Sequence, residues 1–321
     1  MSAALRILRR HGTLIGVAIV LGYFWLHLPT TFVTARNLIN VSQQMSMLAV
    51  VASTMTIVMA MGDFDLSVGS MASLSGVVAA VAFIAIGSIP LGVAAALAMG
   101  VVCGLANGFL VAYVGILPFI ATLGAMTLLS GFAFWLSGGK TLFGGAIPRA
   151  FSDFARGGVP FGPLDATLPN LTILALVIAV VVWLFLEQTT IGRRLYAIGD
   201  NAEAARLAGV PVRALRFAAF GLSGLGAAVA GLMYASRVSS ANPTQGAGLM
   251  LDSIAAVFLG QTMTEEGEPR VFATLAGVAA LGLIGNGLTQ MNVDSYVRDM
   301  LTGAIVIAAV AASSFGKSRA G

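Results

Sequence analysis

The chain has 321 residues, 58% of them apolar and only 9% charged, with a net charge of +4, 39 glycines and one cysteine. This composition excludes a soluble globular domain and a disulfide framework, and it fits an all-α, polytopic helical membrane protein. The positive balance suits a bias in cytoplasmic loops and not nucleic-acid binding, because no basic stripe is interleaved with aromatics.

In chain order, Arg6, Arg9, Arg10 and His11 precede an apolar run over 12–28. The layout is that of a signal peptide, yet the run is about long enough to span and no small-residue cleavage site follows, so a retained first helix entering from the cytoplasm is expected. Further spans are expected at roughly 44–61, 66–86, 89–113, 116–137, 171–186, 217–234, 250–263, 271–290 and 299–313. That makes about ten transmembrane helices. The segment at 250–263 is short and opens on Asp252, so it either spans or is re-entrant.

Ten spans place both termini in the cytoplasm, with 138–169 as an external loop and 188–216 as a cytoplasmic loop. Eleven of the lysines and arginines then lie inside and six outside, the direction that the positive-inside bias requires. The whole chain, 1–321, reads as one transmembrane domain.

The charges concentrate between 190 and 216, where Arg193, Arg194, Arg206, Arg213 and Arg216 stand against Asp200 and Glu203. Asn201 is placed to cap a short helix over 202–208, with Glu203 in its first turn and Gly209 closing it. One reading is a topogenic loop that holds its flanking helices in place. The sharper one is a docking helix that projects from the membrane toward a soluble partner.

Polar residues at membrane depth are the other candidates. Asn107 and Asn286 fall within predicted spans, where an unpaired amide is costly, so each is expected to line a pathway or to join helices. Asp65 precedes a span and is expected to cap it, while Asp63 and Asp252 lie near predicted ends. Catalytic chemistry, metals and cofactors are not expected. Cys103 stands alone, and no histidine follows His27 to serve as a base for the serine in Gly221-Leu222-Ser223-Gly224. The fragment Leu136-Ser137-Gly138-Gly139-Lys140 lacks a phosphate-cradling loop and reads as coincidence.

An internal repeat is visible. Asn107-Gly108 is followed by Gly124-Ala125 at the spacing with which Asn286-Gly287 is followed by Gly303-Ala304. The offset is five spans, an odd number, so the two copies would be inverted, an arrangement that suits alternating access.

Two stretches carry a family resemblance. Glu203-Ala204-Ala205, three residues and then Gly209, set in GRRLYAIGDNAEAARLAGV, resemble the EAA-type loop of ATP-binding cassette importer permeases. The surrounding string is similar to the branch that imports sugars such as ribose, xylose, arabinose and galactose. MGDFDLSVGS at 61–70 is similar to that branch's GIDLSVGS-type segment, which brings Asp65, Ser67 and Gly69 into the motif; Phe64 replaces an aliphatic residue. Asp200 and the acidic turn over 265–268 are further departures.

The resemblance implies a permease subunit in a bacterial inner membrane that translocates a monosaccharide delivered by a periplasmic sugar-binding protein. It implies ATP-binding cassette ATPase subunits that supply the energy, and a second permease copy, identical or related. Asn201, Glu203, Ala204, Ala205, Arg206 and Gly209 would form the coupling element. The competing expectation is an ion-coupled secondary transporter of a small polar solute. The scarcity of ionisable residues in mid-span counts against it.

Overall fold

The computed structural model describes residues 3–161, 166–264, 267–297, 299–305 and 307. In order come α1 (Ala3–His27), α2 (Ala35–Ala60), α3 (Val68–Ile86), α4 (Ile89–Phe109), α5 (Pro118–Ser137), α6 (Arg149–Arg156), α7 (Asn170–Gln188), α8 (Thr190–Leu207), α9 (Val212–Val238), α10 (Leu249–Gln261) and α11 (Val271–Gln290). Seven elements are long and apolar enough to cross a bilayer: α2, α3, α4 with the π-turn Leu110–Val114 that prolongs it, α5, α7, α9 and α11. The stretch Ile15–His27 and α10 are shorter apolar helices. Backbone over 299–305 is helical, and the rest of the span expected at 299–313 lies largely outside the described residues.

Some helices start earlier than hydropathy suggests. α2 begins at Ala35, because the Thr34 hydroxyl accepts from the Asn37 amide at 3.2 Å and caps it. Its first turns are polar yet satisfied inside the protein: Ser42 bonds Thr172 of α7 at 3.0 Å, and Gln43 donates to the Ala155 carbonyl at 2.8 Å. An apolar window misses such a helix because its polar groups find protein partners and not water. α9 likewise begins at Val212, so Arg213 and Arg216 belong to its first turns and not to a loop.

α9 is the central post, packed against α2, α3 and α4. The α4 contact runs along Gly100, Gly104 and Gly108, whose bare backbones meet Gly224, Phe220 and Phe217 of α9. Spacing glycines by four puts them on one face, and each added Cβ would strike facing backbone. By contrast, α5 turns Phe119, Ile120, Leu128, Phe132 and Trp135 outward, as a lipid-facing helix does.

The segment at 138–169 is not a plain loop. It holds β1 (Leu142–Phe143), α6 and an antiparallel hairpin of β2 (Gly158–Phe161) with β3 (Ala166–Pro169). β1 pairs with β4 (Ser240–Ala241), just past the end of α9, so this layer covers the ends of α3 and α9 opposite α8.

Two spans are broken. α10 has 13 residues, about 20 Å of helix, against a hydrocarbon core of roughly 30 Å. The remainder is irregular chain over 242–248. It descends from β4 with its amides held locally: Gln245 donates to Asn242 O at 3.1 Å, Ala247 to Thr244 O at 3.1 Å, and Gly246 N to Ser73 Oγ of α3 at 2.9 Å. Non-helical backbone within a bilayer is tolerated where it is buried in protein or lines a water-filled cavity. The segment expected at 250–263 is thus a short apolar helix, Leu249–Gln261, that continues from irregular chain. α3 is preceded in the same way by the non-helical residues 62–67, and the two irregular stretches come together where Gly69 backbone touches Gly246 backbone.

Candidate functional site

The arginine-rich stretch folds as two helical pieces. α8 is bent at Asn201, whose φ of −158° and ψ of 99° are not helical. There the Asn201 Oδ1 accepts from the amides of Glu203 at 3.1 Å and Ala204 at 2.9 Å, capping a fresh turn. Gly209, at φ +83°, ends it, with Val210 N donating to Ala205 O and Gly209 N to Arg206 O, both at 3.0 Å. The outer side of this knuckle presents Glu203, Ala204, Arg206 and Leu207, the last 75% exposed. Ala205 faces the other way: it is buried in an apolar cluster with Leu195, Ile198 and Val210, so it seats the knuckle and does not belong to its outer face.

Arg206 donates from Nε to Glu203 Oε2 at 3.0 Å and from Nη2 to Oε1. That hydrogen bonding holds the Glu203 carboxyl below its ordinary pKa. Both side chains are more than 60% exposed, so the pair shapes the surface and adds little to stability.

The first half of α8 is tied to the ends of the membrane helices. Gly199 packs against the last residue of α2, Ala60. Tyr196 donates its hydroxyl to the Pro269 carbonyl at 2.7 Å, and Glu187 at the end of α7 accepts from Val271 N, the first amide of α11, at 2.8 Å. Burial, with the nearby Glu187 charge, pushes the Tyr196 phenol well above its usual range. Arg216 forms a two-point ion pair with Asp63, in the turn that leaves α2. Burial pushes the Asp63 carboxyl above its ordinary value, against the lowering effect of Arg216.

Further in lies a polar junction. Asp65 is fully buried; its Oδ1 accepts from the backbone N and hydroxyl of Ser67, and its Oδ2 from Ser223 Oγ of α9 at 2.8 Å. Asn107 of α4 donates to Ser67 Oγ at 2.8 Å. This corrects the expectation that Asp65 caps α3: Ser67 holds the capping position, and the carboxylate instead joins the α2–α3 turn to α9, with α4 joined through Ser67. Asn107 accordingly serves as an interhelical tie. Gly69 completes the motif by its approach to Gly246.

Asn286 sits elsewhere, in a mutual amide pair with Asn37 of α2 (2.9 and 3.2 Å), and accepts from Gln290 at 2.8 Å. It also lines a cavity of about 830 Å³ bounded by α2, α9, α10, α11 and residues 299–307. The structure therefore brings Asp65, Ser67 and Asn107 together and separates them from Asn286 and from the knuckle. Sequence reasoning passed over Asn37, Tyr196 and the Arg216–Asp63 pair, and it weighed Ser223 as a nucleophile without a base and not as a partner of Asp65.

A glycine-packed helical bundle with broken spans and a charged knuckle on one face defines a polytopic membrane permease. The chain belongs to the family described as branched-chain amino acid transport system / permease component, which it matches over residues 37–310. It is 38% identical over 287 residues to the ribose import permease protein RbsC of Escherichia coli (strain K12), covering 88% of this chain and 87% of that one. It is 37% identical over 305 residues to the L-arabinose transport system permease protein AraH of the same strain, covering 95% and 90%. RbsC of Bacillus subtilis (strain 168) is 35% identical over 295 residues, covering 88% and 86%. No solved structure matches the chain.

Proposed function

We propose that this chain is the membrane subunit of an ATP-driven importer, carrying a monosaccharide that a periplasmic binding protein delivers. The observation that carries the coupling role is the knuckle itself. It is a capped, solvent-exposed turn, flanked by arginines, whose base is fastened to the ends of α2, α9 and α11. A push on such an element moves the helices behind it, and differential contacts in two states are all that coupling requires. The similarity to ribose and arabinose permeases supports a pentose or hexose as cargo.

In this reading the chain acts as one permease domain, 1–321, in a bacterial inner membrane. Residues 188–216 face the cytoplasm, where ATP is hydrolysed on separate cassette subunits, and 138–169 face the binding protein. Both termini are cytoplasmic, and a second permease subunit completes the path. The clustering of Arg193, Arg194, Arg206, Arg213 and Arg216 on one face supports that orientation. The repeat also gains support: from Val68 to Leu249, the starts of α3 and α10, is 181 residues, and from Ile89 to Val271, the starts of α4 and α11, is 182. Asn107 and Asn286 are 179 apart, so about ten spans with two inverted halves remain the reading of choice.

The test is Glu203→Lys in the assembled transporter. It should insert normally but lose most uptake and most substrate-stimulated ATPase activity; normal uptake would remove the knuckle from the mechanism. Asp65, a buried carboxylate whose partners are all uncharged, is what favours ion-coupled secondary transport instead. Uptake by the chain alone, in ATP-free vesicles under an ion gradient, would establish that alternative.

A further inference from the structure

Helix α11 starts without a cap of its own. Arg270 holds the capping position, and its guanidinium has no acceptor to offer. The acceptor comes from another helix: Glu187, in the last turn of α7, takes the Val271 amide at 2.8 Å. A carboxylate placed there satisfies a free amide and meets the positive end of the helix dipole. One turn back along α7, Trp183 lies against Phe272 of α11, with ring centroids 5.3 Å apart.

Glu187 also stands at a tight corner. The Thr189 hydroxyl donates to the Phe185 carbonyl at 2.6 Å and accepts from the Gly192 amide at 3.1 Å, so it ends α7 and starts α8 in one step. Gly192 lies so close to Leu186 that a methyl group added there would strike its backbone. From the α8 side of the corner, the Tyr196 hydroxyl donates to the Pro269 carbonyl at 2.7 Å. Two hydrogen bonds, one from each side of the corner, therefore fasten it to the start of α11.

α11 is in turn keyed to α10, backbone on backbone. A Cβ added at Gly260 would strike Ala273, and one added at Gly277 would strike Ala256. Its contact with α2 is softer. There Gly282 faces the flexible Met45 side chain, and the ties are the hydroxyl pair of Thr56 with Thr274 and the amide pair of Asn37 with Asn286. Close-packed backbone passes a displacement on, whereas a methionine side chain can reorient to absorb it. α10 continues from the irregular chain over 242–248, where Gly246 touches Gly69.

Resting on the import reading above, we infer that Glu187 and Tyr196 are positioning residues that carry motion of the knuckle to the α10–α11 pair, and through it to the irregular chain at 242–248. The Arg216–Asp63 ion pair joins the same knuckle to the turn before α3. The two lines of contact converge where Gly246 meets Gly69.

The experiment uses the whole transporter, with its cassette and binding protein, in vesicles, and reads uptake per ATP hydrolysed together with the amount of inserted complex. Glu187→Ala removes the acceptor and Tyr196→Phe the donor; each should lower that ratio about threefold or more, the worth of one hydrogen bond. Glu187→Gln, whose amide carbonyl still accepts, should keep most of it. A cross-link separates transmission from folding. With the single native thiol removed by Cys103→Ala, the pair Tyr196→Cys and Pro269→Cys should lower the ratio while reduced. A short bis-methanethiosulfonate joining the two thiols should then restore most of the loss. A ratio unchanged in both single variants would overturn the proposal. So would a cross-link that stops uptake, because α8 and α11 would then have to slide past each other. Fewer inserted complexes with the ratio unchanged would also overturn it and leave the two bonds a structural role alone. A parent transporter that imports no sugar would instead count against the import reading.

Discussion

Arg216 grips Asp63 at two points, Nε donating to Oδ2 at 2.7 Å and Nη2 to Oδ1 at 3.2 Å. The pair joins the first turns of α9, just past the knuckle, to the turn that leads from α2 down to Asp65 and α3. Under the import reading, motion of the knuckle would reach the start of α3 through this ion pair. The Asp63 side chain is 5% exposed and that of Arg216 26%, so neither is well hydrated if its partner is lost. Removing the guanidinium would leave the buried Asp63 carboxylate uncompensated, at a cost on the order of 3 kcal/mol. Asp63→Asn or Arg216→Ala should lower uptake at least tenfold while ATP hydrolysis by the complex continues, and the exchange Asp63→Arg with Arg216→Asp should recover part of the uptake. Parallel loss of uptake, hydrolysis and membrane-inserted protein would reduce the pair to a purely structural role.

The same pair sets a pH response. Burial raises the folded-state pKa of Asp63 above its ordinary value of 3.8. For a carboxyl raised on folding, the stabilising contribution is complete below the unfolded value and is lost as pH rises through the folded value. Acidification through that window therefore protonates Asp63 and breaks the ion pair without costing stability through this group. Uptake per ATP hydrolysed should fall as pH drops toward 4, ahead of any loss of thermal stability due to Asp63, and Asp63→Asn should flatten that part of the profile. An unchanged profile in the variant would assign the response to another group.

At the knuckle, Asn201→Ala removes the acceptor for two amides and should cost about 1 kcal/mol of local helix stability. Asn201→Ser and Asn201→Asp can still cap. Uptake should drop severalfold in the alanine variant and recover in the other two. Hydrogen exchange at the amides of Glu203 and Ala204 would report the same order directly.

Ser223→Ala deprives the Asp65 carboxylate of its one donor from α9. A buried group left short of a partner costs about 1–3 kcal/mol, so the variant should melt several degrees lower in detergent, and Ser223→Thr should retain most of the stability. An unchanged melting temperature would show that another donor replaces the hydroxyl at no cost.

Much of this was legible in the sequence because its causes are local. The cap at Asn201, the stop at Gly209 and the glycine face of α4 are each written in a few consecutive residues. The start of α2 was hidden because Asn37, Ser42 and Gln43 are polar residues satisfied by Asn286, Thr172 and Ala155, which lie more than 100 positions away. Asp65 misled for a related reason: an aspartate three residues before a helix looks like a cap, and only the fold brings Ser223 to it. The continuation of α10 was obscured because 242–248 is neither apolar nor periodic. Its place in the bundle depends on contacts with Ser73, Gly76 and Gly231 that no window contains.

Gly69 and Gly246 place bare backbone on bare backbone where the two interrupted elements cross. With no side chain between them there is no soft layer to absorb displacement, because close-packed atoms cannot be compressed. A tilt of either element must be passed to the other or accommodated by sliding at that point. The crossing therefore behaves as a bearing, and a single methyl group added to either glycine would be enough to jam it.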